Sequence, residues 1–166
     1  MKKLIPLLTA SLFLMGCLES PLLNHATASP QAAAPAADPA EKALARACPL
    51  AFPAQKLCAS LTWVRMPADE DKGEFTMRFW KQDEGTESGP YVNPSYKVAV
   101  KLSMPTMGHG SSPVTVTQAV DQAGASIPGV FRATDVYFVM GGSWEIWVQL
   151  KENRQVIEQA KVDIEI

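Results

Sequence analysis

Three side chains that can bind a soft metal ion lie within six residues of one another. They are Met104, Met107 and His109, in the stretch SMPTMGHGSSP. Thioether sulfur suits Cu(I), and imidazole suits both Cu(I) and Cu(II). Pro105 ends the preceding extended segment, and Gly108 and Gly110 allow the chain to turn back tightly. The spacing therefore predicts that the three side chains converge on one copper ion.

Two further methionines could approach this site from other loops. Met140 precedes a Gly-Gly turn, and Met66 would contribute if it lies at the same end of the domain. A second interpretation needs no metal, because methionine commonly fills gaps in protein cores. Met104 continues the apolar face of a predicted strand, and Gly-His-Gly is an ordinary turn sequence. Composition and spacing leave both interpretations open.

The sequence also predicts a disulfide. Cys48 and Cys58 are ten residues apart, and exported proteins enter an oxidising space where paired cysteines form disulfides. In the chain-entropy model, closing a loop of this size stabilises the folded state by about 2–3 kcal/mol. Two reduced thiols and a thiol–metal site are the alternatives.

The first 17 residues indicate export and lipid attachment. Lys2 and Lys3 precede an apolar run of about a dozen residues, which suits a signal peptide and is too short for a membrane span. The run ends in Leu-Met-Gly-Cys, which resembles a bacterial lipobox, so Cys17 is predicted to become the acylated first residue of the mature chain. Leu18 follows in place of Asp, which favours the outer membrane with the domain facing the periplasm. The acyl chains, such as palmitate, would hold the protein on the membrane.

The remaining chain divides into a tether and one domain. Residues 18–47 are rich in Ala and Pro and show no apolar periodicity, so they predict a flexible spacer. Residues 48–166 predict an all-β domain, an immunoglobulin-like antiparallel sandwich of about seven strands. Gln82–Asn93 is expected to be a long exposed loop. The predicted strands are Leu57–Met66, Glu74–Lys81, Tyr96–Met104, Val114–Val120, Val130–Met140 as one or two strands, Trp144–Lys151 and Val156–Ile166.

Several function classes are disfavoured. The 15 Lys and Arg residues are balanced by 17 Asp and Glu residues, so no basic surface for nucleic acid is indicated. His109 with Ser111 and Ser112 lacks the GxSxG pattern of a hydrolase, so no enzyme activity is predicted. The serine hydroxyls are instead expected to satisfy backbone groups in a turn. The acidic run Asp69–Asp71 is expected to be a solvated hairpin tip.

The tryptophans suggest a second kind of function. Trp144 is expected in the core and Trp147 on the opposite face of the same strand. A pair of exposed tryptophans, with Trp63 and Trp80 as the other candidates, would mark a surface for carbohydrate or protein. This alternative is an interaction or assembly module of the cell envelope that uses no metal.

Two segments resemble the YtkA-like domain family, which is related to FixH. The first contains a Met-Pro-x-Met-x-His type of loop, matched here by Pro105, Met107, Gly108 and His109. The second leads into a core strand, and its matching residues are Gly129, Phe131, Phe138, Met140, Gly142 and Trp144. The resemblance covers roughly residues 97–150.

The resemblance implies a function as well as a fold. It implies an immunoglobulin-like domain that is exported or tethered to a membrane. It also implies copper handling, with a copper-receiving or respiratory-assembly protein as the partner. FixH-type members are held by a transmembrane helix, whereas this chain has the lipobox at Cys17. That difference weighs against a role restricted to an oxidase.

Overall fold

A computed structural model describes residues 48–68 and 71–166. The predicted signal peptide, the lipobox with Cys17, the tether, and Asp69 and Glu70 lie outside the described residues. In the described part, no helix is long and apolar enough to span a membrane.

The described residues form an all-β domain, as the sequence predicts. Nine strands and one short 3₁₀ helix, Pro53–Gln55, account for its regular structure. The strands are β1 (Leu50–Phe52), β2 (Leu57–Arg65), β3 (Gly73–Lys81), β4 (Lys97–Met104), β5 (His109–Gly110), β6 (Thr115–Val120), β7 (Ser126–Val136), β8 (Ser143–Glu152) and β9 (Gln155–Glu165).

The strands form two antiparallel sheets. One sheet has five strands in the order β1-β2-β3-β7-β6, and the other has four in the order β5-β4-β8-β9. In immunoglobulin lettering, β2, β3, β7 and β6 follow the order A-B-E-D, and β4, β8 and β9 follow C-F-G. The prediction of an immunoglobulin-like sandwich is therefore confirmed.

The structure adds two strands to the seven predicted ones. They are β1, with three residues, and β5, with two, and each lies at the edge of its sheet. Strands this short contain too few residues for a period-two pattern, so sequence periodicity cannot detect them. The edge strand β5 nevertheless matters, because it contains His109.

The core lies between the sheets and follows the predicted alternation. On β3, Phe75, Met77 and Phe79 are fully buried. On β8, Trp144 and Ile146 face the same core from the opposite sheet. Edge-to-face contacts such as Phe138–Trp144, with ring centroids 5.2 Å apart, add directional packing to the burial of apolar area.

The connection between β3 and β4 is only partly the exposed loop expected for Gln82–Asn93. Most residues up to Pro90 are exposed, but Val92 packs against the core. Its N–H donates to the Phe79 carbonyl at 2.9 Å. Asn93 Oδ1 accepts a hydrogen bond from the Gly129 N–H at 2.6 Å. The second half of the connection is therefore bonded to both β3 and β7.

Candidate functional site

A β-hairpin places two of the predicted ligands directly opposite each other. Met104 is the last residue of β4, and its Cα partner on β5 is His109. The amide N–H groups of Met107 and Gly108 both donate to the Met104 carbonyl, at 3.2 and 3.0 Å. Gly108 has φ +67°, which favours glycine. Residues opposite each other in an antiparallel pair share a face, with Cβ atoms about 4.5–5.5 Å apart.

The connection between β7 and β8 packs against this hairpin. A Cβ atom on Gly142 would lie 2.8 Å from Met104 Cε, so the methionine methyl group occupies the space beside the glycine. Gly142 also exchanges two backbone hydrogen bonds with Ile166, at 2.9 and 3.0 Å. Met140 is two residues before Gly142, and its carbonyl accepts a hydrogen bond from Trp144 Nε1 at 3.0 Å. The structure therefore brings the Met140 connection to Met104.

Four of the methionines in the described part lie at one end of the sandwich. Strands β2, β4 and β7 end there, and strands β3 and β8 begin there. Within each sheet this follows from the antiparallel pairing of β2 with β3, of β3 with β7 and of β4 with β8. Residues 137–142 connect β7 of one sheet to β8 of the other at this end. We call this the methionine end, and its residues are 66–68, 104–109 and 137–142. Met66 satisfies the condition set by the sequence analysis, since it directly follows β2.

The four methionines differ in exposure. Met104 is only 5% exposed, whereas Met66, Met107 and Met140 are 47%, 59% and 43% exposed. His109 is also exposed. Met104 thus packs in the core, as the metal-free interpretation expects. Met107, His109 and Met140 are accessible to a ligand or a partner.

Thioether and imidazole groups dominate the chemistry of this end. Among the described residues, no group of three or more His, Cys, Asp or Glu side chains could hold a metal ion. A metal at the methionine end would depend on neutral sulfur donors and His109. That donor set suits Cu(I) and suits hard cations poorly.

An acidic groove lies beside the hairpin on the outer face of β8 and β9. Its volume is about 410 Å³, and its lining includes Pro105, Glu145, Asp163 and Glu165. Lys161 Nζ donates to Glu145 at 2.6 Å and to Asp163 at 2.9 Å. The hydrogen bond from Lys161 holds the pKa of the Glu145 carboxyl below its ordinary value. Lys161 neutralises only part of this charge, because one ammonium group lies among three carboxylates.

Ser111 satisfies a backbone group, as predicted, but the group lies in a distant connection and not in its own turn. Its hydroxyl donates a hydrogen bond to the Tyr137 carbonyl. This bond ties the segment after β5 to the connection that contains Met140.

The two cysteines are bonded to each other, as the sequence analysis predicts. The disulfide between Cys48 and Cys58 has a Cα–Cα distance of 5.0 Å. Both cysteines pack with Trp80, which is 1% exposed. Cys58 is the second residue of β2, so the disulfide lies toward the end of the sandwich opposite the methionine end.

The tryptophans do not form the exposed pair that the partner-binding alternative considered. Trp144 is in the core, and Trp147 lies on the opposite face as predicted, where its indole N–H donates to Glu145 Oε2 at 2.9 Å. Trp80 is covered by the disulfide, and Trp63 packs edge-on against Phe75 with ring centroids 5.1 Å apart. Trp80 and Trp144 are buried, and Trp63 and Trp147 are half-buried, because tertiary contacts cover much of these rings.

Gly142 and Trp144 contact the candidate site without being candidate ligands. Their only signal in the sequence is the stretch VMGGSW, which the resemblance to the YtkA-like family includes. No protein-family model, curated protein or solved structure matches the chain. The resemblance to the YtkA-like family therefore stays a prediction.

Proposed function

We propose that this protein binds Cu(I) as cargo at the methionine end, through Met104, Met107, His109 and Met140. The observation that carries the proposal is the position of Met104. It lies opposite His109 on the hairpin and against Gly142, two residues from Met140. This contact supports a site formed by two loops that are distant in the sequence.

The donor chemistry supports Cu(I) over other ions. Thioether groups carry no charge and compete poorly for Zn²⁺ or Mg²⁺, whereas they are good ligands for Cu(I). The imidazole of His109 adds a nitrogen donor that also suits Cu(I). Three of the four residues are exposed, which would let a second protein exchange ligands with the bound ion.

The sequence supports a place for this activity in the cell envelope. The lipobox at Cys17 would anchor the protein by lipid, in the outer membrane and facing the periplasm, and the tether would separate the domain from the membrane. The resemblance to the YtkA-like family suggests delivery to a copper-receiving or respiratory-assembly protein. Binding and delivery require no catalytic group.

A competition assay with a Cu(I) chelator tests the proposal. The variants are His109→Ala and the double change Met104→Leu with Met107→Leu, in which leucine keeps the apolar volume. Each should weaken Cu(I) binding by about tenfold or more. Removal of a side chain that coordinates the metal reduces affinity more than removal of a group that only orients a ligand. Met77→Leu is the matched control, because Met77 is fully buried in the middle of β3. Equal binding by all four proteins, or binding by none, would exclude the site.

Binding of a protein partner without metal is the second candidate function. Within the described residues, the methionine end exposes several apolar side chains, including Met66, Met107, Val139 and Met140. Clustered apolar exposure of this kind is typical of interaction surfaces. Binding of the protein partner should be unchanged in His109→Ala, whereas copper binding should be weakened.

A further inference from the structure

We propose that Gly142 and Trp144 are positioning residues that hold Met104 and Met140 together in the copper site. The proposal rests on the proposed function and assigns roles to two residues that donate no metal ligand. Both lie at the start of β8 or directly before it.

Gly142 sets the position of Met104. Its φ of +124° is unfavourable for any residue with a side chain, and the space beside its Cα is filled by the Met104 methyl group. The two hydrogen bonds with Ile166 fix the backbone of Gly142 against the end of β9. A methyl group at position 142 would push the flexible end of Met104 away from its present place.

Trp144 sets the position of Met140. Its ring is 1% exposed and is braced by Phe138. From this fixed ring, Nε1 donates to the Met140 carbonyl, so the backbone that carries an exposed methionine is tied to the core. A ligand on a connection held in this way loses less conformational freedom when it binds a metal.

The two contacts divide the candidate ligands into two groups. The side chain of Met104 and the backbone of Met140 contact core residues. Met107 lies in an exposed turn, and His109 lies in an exposed edge strand. Loss of a group that orients a metal ligand usually reduces metal affinity by about 10–100-fold. We expect a reduction of that size for Gly142→Ala and for Trp144→Phe.

The experiment measures Cu(I) affinity by chelator competition and records the methionine methyl and indole N–H resonances of the full-length protein. Gly142→Ala should shift the Met104 methyl resonance of the metal-free protein, and Trp144→Phe should shift that of Met140. Trp147→Phe is the matched control, since it also removes an indole hydrogen bond, but on the outer face of β8. Gly124→Ala is the control for a positive φ, because its Cβ would meet no atom within 4 Å.

The outcomes separate the two proposals. If the unaltered protein does not bind Cu(I), the proposed function fails, and the positioning role fails with it. If it binds and the two variants bind equally well, only the positioning role is wrong. If neither variant folds, the test uses the unaltered protein. Addition of Cu(I) should then shift the indole resonance of Trp144 and leave the indole resonance of Trp147 unchanged. An unchanged Trp144 resonance on copper loading would overturn the positioning role.

Discussion

Glu74 and Arg132 form an ion pair between the neighbouring strands β3 and β7. Arg132 Nε donates to the Glu74 carboxylate, which is largely buried. This hydrogen bond, together with the charges of Arg132 and Arg65, holds the pKa of Glu74 below its ordinary value of 4.5. A carboxyl group with a lowered folded-state pKa stabilises the fold above its unfolded-state pKa and loses that contribution as the pH falls through the folded value.

The change Glu74→Gln should therefore lower stability at pH 7 and lower it less near pH 3. Urea unfolding of the two proteins at both pH values measures the effect, as the change in the free energy of unfolding. Glu152→Gln, at the exposed end of β8, is the control and should change stability little at either pH. An equal loss at both pH values would show that shape, and not charge, explains the role of Glu74.

At the scale of elements, a bulge in β7 is bonded to the connection before β4. The bulge lies around Gly129, where the pairing of β6 with β7 shifts register between Gln118 and Val120. Gly129 has φ +67°, and its N–H donates to Asn93 in the connection before β4. A Cβ atom there would lie 2.5 Å from Val92 N and 2.8 Å from Phe79 O. Only glycine lets these three backbone segments approach so closely.

Gly129→Ala should reduce the free energy of unfolding by about 3 kcal/mol or more, since a left-handed conformation and backbone clashes combine. Gly124→Ala is the matched comparison, with φ +82° and open space, and it should cost only about 1 kcal/mol. Chemical denaturation of both variants gives the difference. Similar losses in the two would mean that the β7 bulge relaxes to accept a side chain.

At the scale of the whole molecule, the disulfide and the candidate copper site are separated along the sandwich. The Cys48–Cys58 bond lies toward the end where β2 begins, and the Met/His hairpin lies where β4 ends. The first described residues are therefore fixed to the fold away from the exposed methionines.

The Leu-Met-Gly-Cys sequence, which resembles a lipobox, predicts attachment to a membrane through Cys17. Cys17→Ser should abolish acylation, so the variant should remain unprocessed or appear in the soluble fraction of the cell envelope. Fractionation with mass analysis of the N-terminus measures this, and Ser29→Ala serves as a control that keeps both the lipobox sequence and the disulfide intact. Normal membrane attachment of the Cys17 variant would refute the lipid anchor.

The local pattern of residues is enough to predict most of the sandwich. Alternation such as Phe75, Met77 and Phe79 on β3 identifies a strand and its buried face, because successive side chains of a strand point to opposite sides. The pairing of Met104 with His109 is also local, since the turn between them is short. The seven long strands and the hairpin of the candidate site could therefore be inferred from the sequence.

The remaining contacts depend on how the two sheets pack and on the register of distant strands. Met104 meets Gly142, Arg132 meets Glu74, and Trp80 is covered by the disulfide only because the chain folds back over many residues. No local preference encodes such contacts, because the burial of the whole core sets the register and brings the loops to a common end. The sequence identified the side chains whose chemistry suits copper, and only the tertiary structure placed Met104 against Gly142.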